Sequence, residues 1–246
     1  MPDRFDLKPD EYLHDPTRKK YLNERMFSVI APRYDFVTRA LSFSRDTGWK
    51  RYLVSRLPDH ETPVCLDLAC GTGDVTFLLA RRYPRGDILG IDLTERMLEL
   101  ARAKSRFGHV RFARQDMCAL DVPDGSVDVV TGSYALRNAP DLRVALREIR
   151  RILRAGGVAA FLDFSKSPHA FRSGVDYRLL KLWGNVWGLA LHGRPAVYSY
   201  IADSLRAFPD RARLREVIAD SGMTVEASRL FFFGFIECLM LRPKRL

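Results

Sequence analysis

The chain has 246 residues, of which 47% are hydrophobic and 28% charged, and its formal net charge at pH 7 is +10. This size and composition predict one α/β domain, and no apolar run is long enough to cross a bilayer. The four cysteines show no C-x-x-C spacing and the acidic first ten residues lack the apolar core of a secretory signal, so we expect reduced thiols and a cytoplasmic protein.

The first sixty residues are helix-like, and we interpret 1–60 as a helical cap. Strands and helices then alternate at the spacing of a doubly wound sheet. This rhythm breaks over 165–204, a helical and aromatic stretch that we interpret as an insertion over the active site. The predicted strands begin at Val64 and then cover 88–92, 109–113, 127–134, 158–164, 224–230 and 235–241. The predicted helices cover 75–83, 142–153, which Gly156 and Gly157 would stop, and 209–222. No repeat or linker interrupts the chain, so we expect a single domain over 1–246.

A glycine-rich turn follows the first predicted strand. Asp67 lies near the end of that strand, and Gly71, Thr72 and Gly73 form a tight turn before a helix. Glycines in this position let the backbone approach a ligand closely. The second predicted strand ends at Asp92, whose carboxylate can accept hydrogen bonds from both hydroxyls of a ribose. The pattern therefore predicts a nucleoside-binding βαβ unit.

The acids around this turn favour one nucleoside. A dinucleotide fold usually has a third glycine, where this chain has Thr76, and the extra Asp74 would repel a pyrophosphate. Together with Asp67, Asp74 suits a cationic ligand. S-adenosylmethionine carries a ribose, an ammonium and a sulfonium but no phosphate, so it is the predicted co-substrate. A nicotinamide dinucleotide and an unliganded turn are the alternatives.

Five segments spread along the chain share the pattern of one enzyme family. They are Met26 to Asp35 (MFSVIAPRYD), Asp67 to Asp74 (DLACGTGD), Tyr134 to Asn138 (YALRN), Leu162 to Lys166 (LDFSK) and Tyr198 to Ser204 (YSYIADS). On these segments, nearly the whole chain resembles the C-methyltransferases of menaquinone and ubiquinone biosynthesis. The resemblance implies the class I methyltransferase Rossmann-like fold: seven strands, mostly parallel with the last antiparallel, an N-terminal helical cap and a helical insertion after the fifth strand.

The resemblance also implies a set of cofactor-binding residues and no metal. Asp116 and Met117 stand where the family commonly has Asn-Ala; a carboxylate can still accept from an adenine amino group, and a methionine can pack on the ring. The alternatives are a surface turn for Asp116 and core packing for Met117. The implied cofactor-binding set is Asp67, Gly71, Thr72, Gly73, Asp92, Asp116, Met117 and Ser133.

On the substrate side, the resemblance implies methyl transfer to a ring carbon of an isoprenoid quinol, either demethylmenaquinol or a ubiquinone-precursor benzoquinol. The implied catalytic residues are Arg137, which can stabilise a phenolate, Asn138, which can orient a ring oxygen, and Tyr34 on a substrate-facing lid. The alternatives are a helix N-cap for Asn138 and core packing for Tyr34. The chain departs from the family at Thr38, at Asp46 and over 231–237, which puts the substrate in doubt more than the reaction.

The insertion is the predicted site of the isoprenoid tail. Its apolar residues recur at helical spacing, with Arg178, Lys181 and Asn185 on another face, so the helix can lie in a membrane interface. Packing on the protein's own core or on a partner subunit, as in a homodimer, is the alternative. The apolar stripe consists of Leu179, Leu180, Trp183, Val186, Trp187 and Ala190.

The sequence also leaves alternative functions to consider. The positive charge suits nucleic acid or a lipid surface. The segment 133–138 lacks the acid- or Asn-Pro-Pro-aromatic pattern of amino-methylating nucleic-acid enzymes, so no nucleic-acid partner is expected. A non-catalytic binding module would not need the Arg137–Asn138 pair. Within enzymes, a small-phenol or natural-product C- or O-methyltransferase is the runner-up.

Overall fold

Three helices precede the sheet in the computed structural model, which describes residues 13, 15–192 and 196–244. Helix α1 (Pro16–Ile30) begins with a proline, and the Asp15 carboxylate caps it by accepting from the Arg18 amide at 2.9 Å. A 3₁₀ turn leads to α2 (Tyr34–Leu41), and α3 (Asp46–Ser55) follows. Residues 1–12 and 14 of the predicted cap and residues 193–195 of the predicted insertion lie outside the described residues.

The sheet has seven strands in the order β3-β2-β1-β4-β5-β7-β6, and the first five are parallel. Strand β7 is antiparallel to both β5 and β6, which confirms the predicted fold class. The strands are β1 (Val64–Leu68), β2 (Asp87–Asp92), β3 (Val110–Arg114), β4 (Val127–Ser133), β5 (Leu153–Phe164), β6 (Met223–Phe231) and β7 (Ile236–Pro243).

Helices cover both faces of this sheet, so its central strands carry buried apolar residues on both sides. Neighbouring residues point to opposite faces: Cys65 packs with α3 and α4 (Asp74–Arg82), whereas Leu66 packs with α6 (Leu142–Ile152). Helix α5 (Glu95–Lys104) connects β2 to β3, and α9 (Arg211–Asp220), capped by Asp210, precedes β6.

Helix α6 is shorter than the sequence predicted. It ends at Ile152, and β5 begins at Leu153, so the expectation that Gly156 and Gly157 stop the helix is wrong. The pairing with β4 shifts here, because Val127 pairs with Leu153 but Val129 pairs with Val158. The extra residues form a bulge in which Gly156 takes φ +85°, so the glycines serve a strand irregularity.

The insertion after β5 is a pair of helices packed on each other, α7 (Ala170–His192) and α8 (Ala196–Ala207). These helices follow the carboxyl end of β5, at the edge of the sheet where ligands bind in open α/β folds. Among the described helices, none combines the length and apolar character needed to cross a membrane.

The packing around Gly132 in β4 gives a first prediction. A Cβ there would lie 2.8 Å from the Ala135 Cβ and 3.0 Å from the Phe161 ring, so Gly132→Ala should lower the free energy of unfolding by about 1–3 kcal/mol. A Cβ at Gly48 in α3 would meet no described atom within 4 Å, so Gly48→Ala should instead stabilise by up to about 1 kcal/mol. Urea unfolding of both variants measures the contrast, and equal effects would contradict it.

Candidate active site

Two cavities lie side by side at the carboxyl edge of the sheet. The smaller, of about 60 Å³, is walled by the ends of β1, β2 and β4 and covered by α1 and the start of α2. The larger, of about 480 Å³, is mainly apolar and runs between α1, α2, α7, α8 and the residues that follow β6. The residues that line both cavities are Phe27, Tyr34, Tyr134 and Asn138. A ligand in one cavity therefore meets a ligand in the other at these four side chains.

The smaller cavity contains the glycine turn and the acid after β2. Gly71 adopts φ +55°, and its amide donates to Asp92 Oδ2 at 2.9 Å, while Asp92 Oδ1 accepts from the Thr94 amide at 2.8 Å. Burial raises the pKa of Asp92, against the lowering effect of these amides. A carboxylate has about four lone-pair positions, so each oxygen keeps capacity for a ligand hydroxyl. The residue fits the predicted ribose diol.

Three more predicted residues line this cavity, namely Asp116, Met117 and Ser133, as does Gln115, which the sequence analysis missed. Asp116 Oδ1 accepts from the Cys118 amide at 2.9 Å, and its Oδ2 pairs with Lys20 of α1 at 2.8 Å. A hydrogen bond from an adenine amino group would share this carboxylate with Lys20.

Asp67 was predicted to bind the cofactor, but its surroundings differ from those of Asp92. It lies outside the described walls of both cavities, is 1% exposed, and accepts from Thr76 Oγ1 at 2.6 Å and Thr131 Oγ1 at 2.7 Å. Burial raises its pKa to about 6. Its side chain ties β1 to β4 and α4, because it points into the layer between sheet and helix rather than beyond the strand end.

The rest of the turn also differs from the prediction. Thr72 donates to Asp35 Oδ1 at 2.6 Å and so joins the turn to α2. Gly73 adopts φ +93°, and a Cβ there would lie 2.7 Å from the Phe77 ring. Neither residue is in the described cavity walls. Both hold the turn in shape, and Gly71 alone among its three central residues lines the smaller cavity.

Arg137 is buried in the wall of the larger cavity, on a 3₁₀ turn after β4. Its Nη1 donates to Ser204 Oγ, its Nε lies 3.9 Å from Asp163 Oδ1, and its amide donates to Asp163 Oδ2 at 3.1 Å. The guanidinium carbon lies 5.0 Å from the Phe164 ring centroid. Among the described residues, Nε has no hydrogen-bond acceptor, and the Asp163 carboxylate balances its charge from 3.9 Å away.

Asn138 is fixed by a network that includes two residues the sequence analysis did not single out. Its Oδ1 accepts from Tyr200 Oη at 3.2 Å, and its backbone carbonyl accepts from Asn23 Nδ2 at 2.7 Å. The single hydrogen of this Tyr200 hydroxyl is shared with Asn23 Oδ1, which is nearer at 2.5 Å, so both contacts belong to one bifurcated hydrogen bond. The alternative role as a helix N-cap is wrong, because Asp141 caps α6. Tyr200 lay inside a family segment, but nothing local marked Asn23.

Two tyrosines stand between the cavities. Tyr34 was predicted, whereas Tyr134 was missed; it takes φ +58°, a left-handed conformation rare for a bulky residue. Burial raises the pKa of both phenols, so both remain hydrogen-bond donors at neutral pH. Lys50 lies beneath the Tyr134 ring, 6.0 Å from its centroid.

Lys50 carries a buried positive charge beside this junction. Its Nζ lies 2.8 Å from Asp74 Oδ2 and 3.1 Å from Asp46 Oδ2. Burial alone would lower the pKa of Lys50, but the carboxylates of Asp74 and Asp46 outweigh it and raise the pKa. Asp74 was expected to face a cationic ligand, but in the structure it pairs with the side chain of Lys50.

The predicted tryptophan stripe of α7 is only partly correct. Trp183 lines the larger cavity and stacks on Phe43, with ring centroids 5.4 Å apart, and Trp187 packs against the N-terminal helices. Leu179 and Val186 are instead exposed. The side chain of Ala190 lies outside the described set. The tryptophans thus face inward and do not form an outer surface.

Residues 16–238 match the ubiE/COQ5 methyltransferase family. The chain belongs to this family. It is 38% identical over 212 residues to a protein from Thermus thermophilus named demethylmenaquinone methyltransferase. The matched region covers 84% of this chain and 95% of that protein. It is 35% identical over 213 residues to a protein from Geotalea uraniireducens named ubiquinone/menaquinone biosynthesis C-methyltransferase UbiE, covering 84% and 89%.

Solved structures agree on the fold. A methyltransferase in complex with the Trm112 activator from Haloferax volcanii has a TM-score of 0.64 at 17% identity, covering 89% of this chain and 98% of that one. A possible histamine N-methyltransferase from Thermotoga maritima has a TM-score of 0.62 at 18% identity, covering 90% and 99%. At these identities the likeness shows the class I fold alone.

As a member of this family the chain is a methyltransferase, and S-adenosylmethionine is its methyl donor. When bound, the donor supplies a methyl group on a positively charged sulfur. The spare lone pairs of Asp92 and the close backbone approach at Gly71 fit it, and Asp116, Met117 and Ser133 would complete the site. Within the described part of the chain, no group of three or more His, Cys, Asp or Glu residues is placed to hold a metal ion.

Asp67 in β1 and Asp92 at the end of β2 should respond differently when each is replaced by asparagine. Asp92→Asn should weaken S-adenosylmethionine binding about 10- to 100-fold, because it removes a charged acceptor in the cavity wall. Asp67→Asn should leave the affinity within about twofold but lower the free energy of unfolding by about 1–3 kcal/mol. Titration calorimetry and urea unfolding measure both quantities, and a comparable loss of affinity in Asp67→Asn would contradict the assignment.

The Asn138 network yields a further prediction. Tyr200→Phe removes the hydroxyl that joins Asn23 to Asn138, so turnover should fall roughly three- to tenfold while the affinity for S-adenosylmethionine is unchanged. Tyr52→Phe is the matched control, because Tyr52 lies outside the described walls of both cavities. Equal turnover in the two variants would show that the network does not position Asn138.

Proposed function

We propose that this chain methylates a ring carbon of a demethylated isoprenoid quinol, either demethylmenaquinol or a benzoquinol precursor of ubiquinone. The observation that carries the proposal is the 480 Å³ apolar cavity, which meets the donor cavity at a polar junction and has Arg137 and Asn138 in its wall. An isoprenoid quinol has an aromatic ring and an apolar tail, so its ring suits the polar junction and its tail suits the apolar cavity. The names of the Thermus and Geotalea relatives support the same substrate class.

Alignment is the main contribution of the protein to this reaction. Phe27, Tyr34 and Tyr134 bound the junction and restrict the plane in which a ring can lie. Asn138 is held at both ends of its amide, because the oxygen accepts from Tyr200 and the nitrogen donates to the Tyr134 carbonyl at 2.8 Å, which leaves one N–H for a ring oxygen. In the proposed reaction a ring C–H carbon takes the methyl group, the donor leaves as a thioether, and the ring then loses a proton.

Charge stabilisation is the second contribution. Loss of the proton from a quinol hydroxyl makes the ring carbon a better nucleophile, and the positive charge of Arg137 in the cavity wall favours that phenolate. The phenols of Tyr34 and Tyr134, kept neutral by burial, are further donors at the same junction. The site therefore favours a developing phenolate over a neutral quinol.

The proposal includes contact with a membrane surface, because a long isoprenoid tail resides in lipid. The Phe-rich segment after β6 supports an apolar substrate, since Phe232, Phe233 and Phe235 all line the larger cavity. Thr38, one of the departures from the family, also lines the larger cavity. Asp46, another departure, is buried and pairs with Lys50. These departures would determine which type of quinol ring the cavity accepts.

Arg137→Lys tests the charge contribution. A lysine keeps the positive charge but loses the planar fork, so kcat should fall by about 100-fold with little change in the affinity for S-adenosylmethionine. The control is Arg143→Lys, a half-buried residue of α6 that pairs with Asp220 and lies outside the described walls of both cavities. If donor affinity and kcat fell together, Arg137 would instead be a structural residue at the end of β4.

The substrate itself is tested by incubation with S-adenosylmethionine and chemically reduced quinones, followed by mass spectrometry. Demethylmenaquinol or the benzoquinol precursor should gain one methyl group, and the matching oxidised quinone should stay unchanged because its ring is not electron-rich. Methylation of a soluble phenol with no product from either quinol would overturn the proposal.

A further inference from the structure

Helix α7 has an apolar outer face in addition to the inner face that lines the cavity. Its exposed large side chains follow one another at intervals of three and four residues, so they share one side of the helix. We name this set the outer stripe. It consists of Phe171, Val175, Leu179, Leu182, Val186 and Leu189. Phe171 is 87% exposed, and a continuous apolar face of this kind marks a binding surface rather than ordinary surface composition.

The outer stripe adjoins the opening of the larger cavity. Leu179 and Leu182 belong to both the stripe and the cavity wall. Phe43 and Phe233 also line the cavity while being 59% and 83% exposed, and both have left-handed backbone, with φ +51° and +57°. Such strain at bulky residues persists where the surrounding structure imposes it, often at functional sites. We call these four residues the cavity mouth.

Positive charge surrounds the mouth. Arg172 donates to the Phe233 carbonyl, and the Arg45 guanidinium lies 5.9 Å from the Phe232 ring centroid. Helix α7 also carries Arg178, together with Lys181, which pairs with Asp203 at 3.4 Å; its single acid, Asp176, is mostly buried and lies 3.8 Å from Arg172. An apolar face bordered by cations matches the acyl region and the anionic head groups of a lipid bilayer.

We propose that the outer stripe and the cavity mouth dock on an anionic bilayer, and that the substrate tail enters and leaves through the mouth. This rests on the proposed function, because the tail is what makes such a route necessary. A long tail exceeds a 480 Å³ cavity that also holds the ring, and its remainder would be in water unless the mouth opened onto lipid. A second copy docked on the same face would close the mouth and bring the arginines of both copies together.

The test compares two variants that add three negative charges each. Phe171→Glu/Val186→Glu/Leu189→Glu alters the outer stripe but no residue of the described cavity walls. Thr62→Glu/Ala103→Glu/Ala155→Glu alters exposed residues before β1, at the end of α5 and near the start of β5. Flotation with vesicles of equal phosphatidylglycerol and phosphatidylcholine measures binding. The stripe variant should lose at least about tenfold in partition coefficient, and the control variant far less.

Activity completes the test. On a tailless quinol both variants should match the wild type, whereas on a long-tailed quinol in the same vesicles only the stripe variant should lose activity. Wild type that stays unbound, or a stripe variant that floats as well as the control variant, would overturn the proposal. A wild-type dimer that the stripe variant alone converts to monomer in sedimentation would also overturn it, with a second copy as the occupant. Vesicle binding without methylation of any quinol would refute the proposed function and leave the docking surface standing.

Discussion

Burial of the Arg137 guanidinium is the constraint on which the site depends. A cation removed from water must be paired and hydrogen-bonded, and two elements supply its partners. Strand β5 provides Asp163, helix α8 provides Ser204, and the Phe164 and Tyr200 rings lie against the guanidinium. The pairing places the insertion over the carboxyl edge of the sheet, and with it the wall of the larger cavity.

The N-terminal cap is held over the same turn by polar contacts to its backbone. Asn23 donates to the Asn138 carbonyl, and Lys19 donates to the Ala139 carbonyl at 2.6 Å. Burial, and then the charge of Arg137, lower the pKa of Lys19 to about 8. The α1 helix thus satisfies carbonyls that the irregular turn after β4 leaves unpaired, and in doing so covers the donor cavity. The short turn after β4 therefore connects α1, which covers the site, to the sheet that carries it.

Much of the fold was predictable because it follows from alternation and strand burial. The strand positions came from apolar runs and the turn from its glycines, and the antiparallel last strand was implied by the family resemblance. The roles of the two acids could not be separated in the same way. Asp67 and Asp92 both end buried strands, yet Asp67 meets two threonines brought by β4 and α4, while Asp92 meets backbone amides beside a cavity. Only the tertiary partners distinguish them.

Helix α7 shows a different limit of sequence reasoning. Its inner residues, among them Trp183 and Trp187, and its outer stripe are both apolar, so no single polar face indicates which side the core takes. The tryptophans suggested a surface role because indoles are common at membrane interfaces, but their size suits the space beside Phe43 and α1. The aliphatic side chains on the opposite side were left outward. A helix that is apolar on both sides fits the proposed apolar ligand on its inner side and the proposed lipid surface on its outer side.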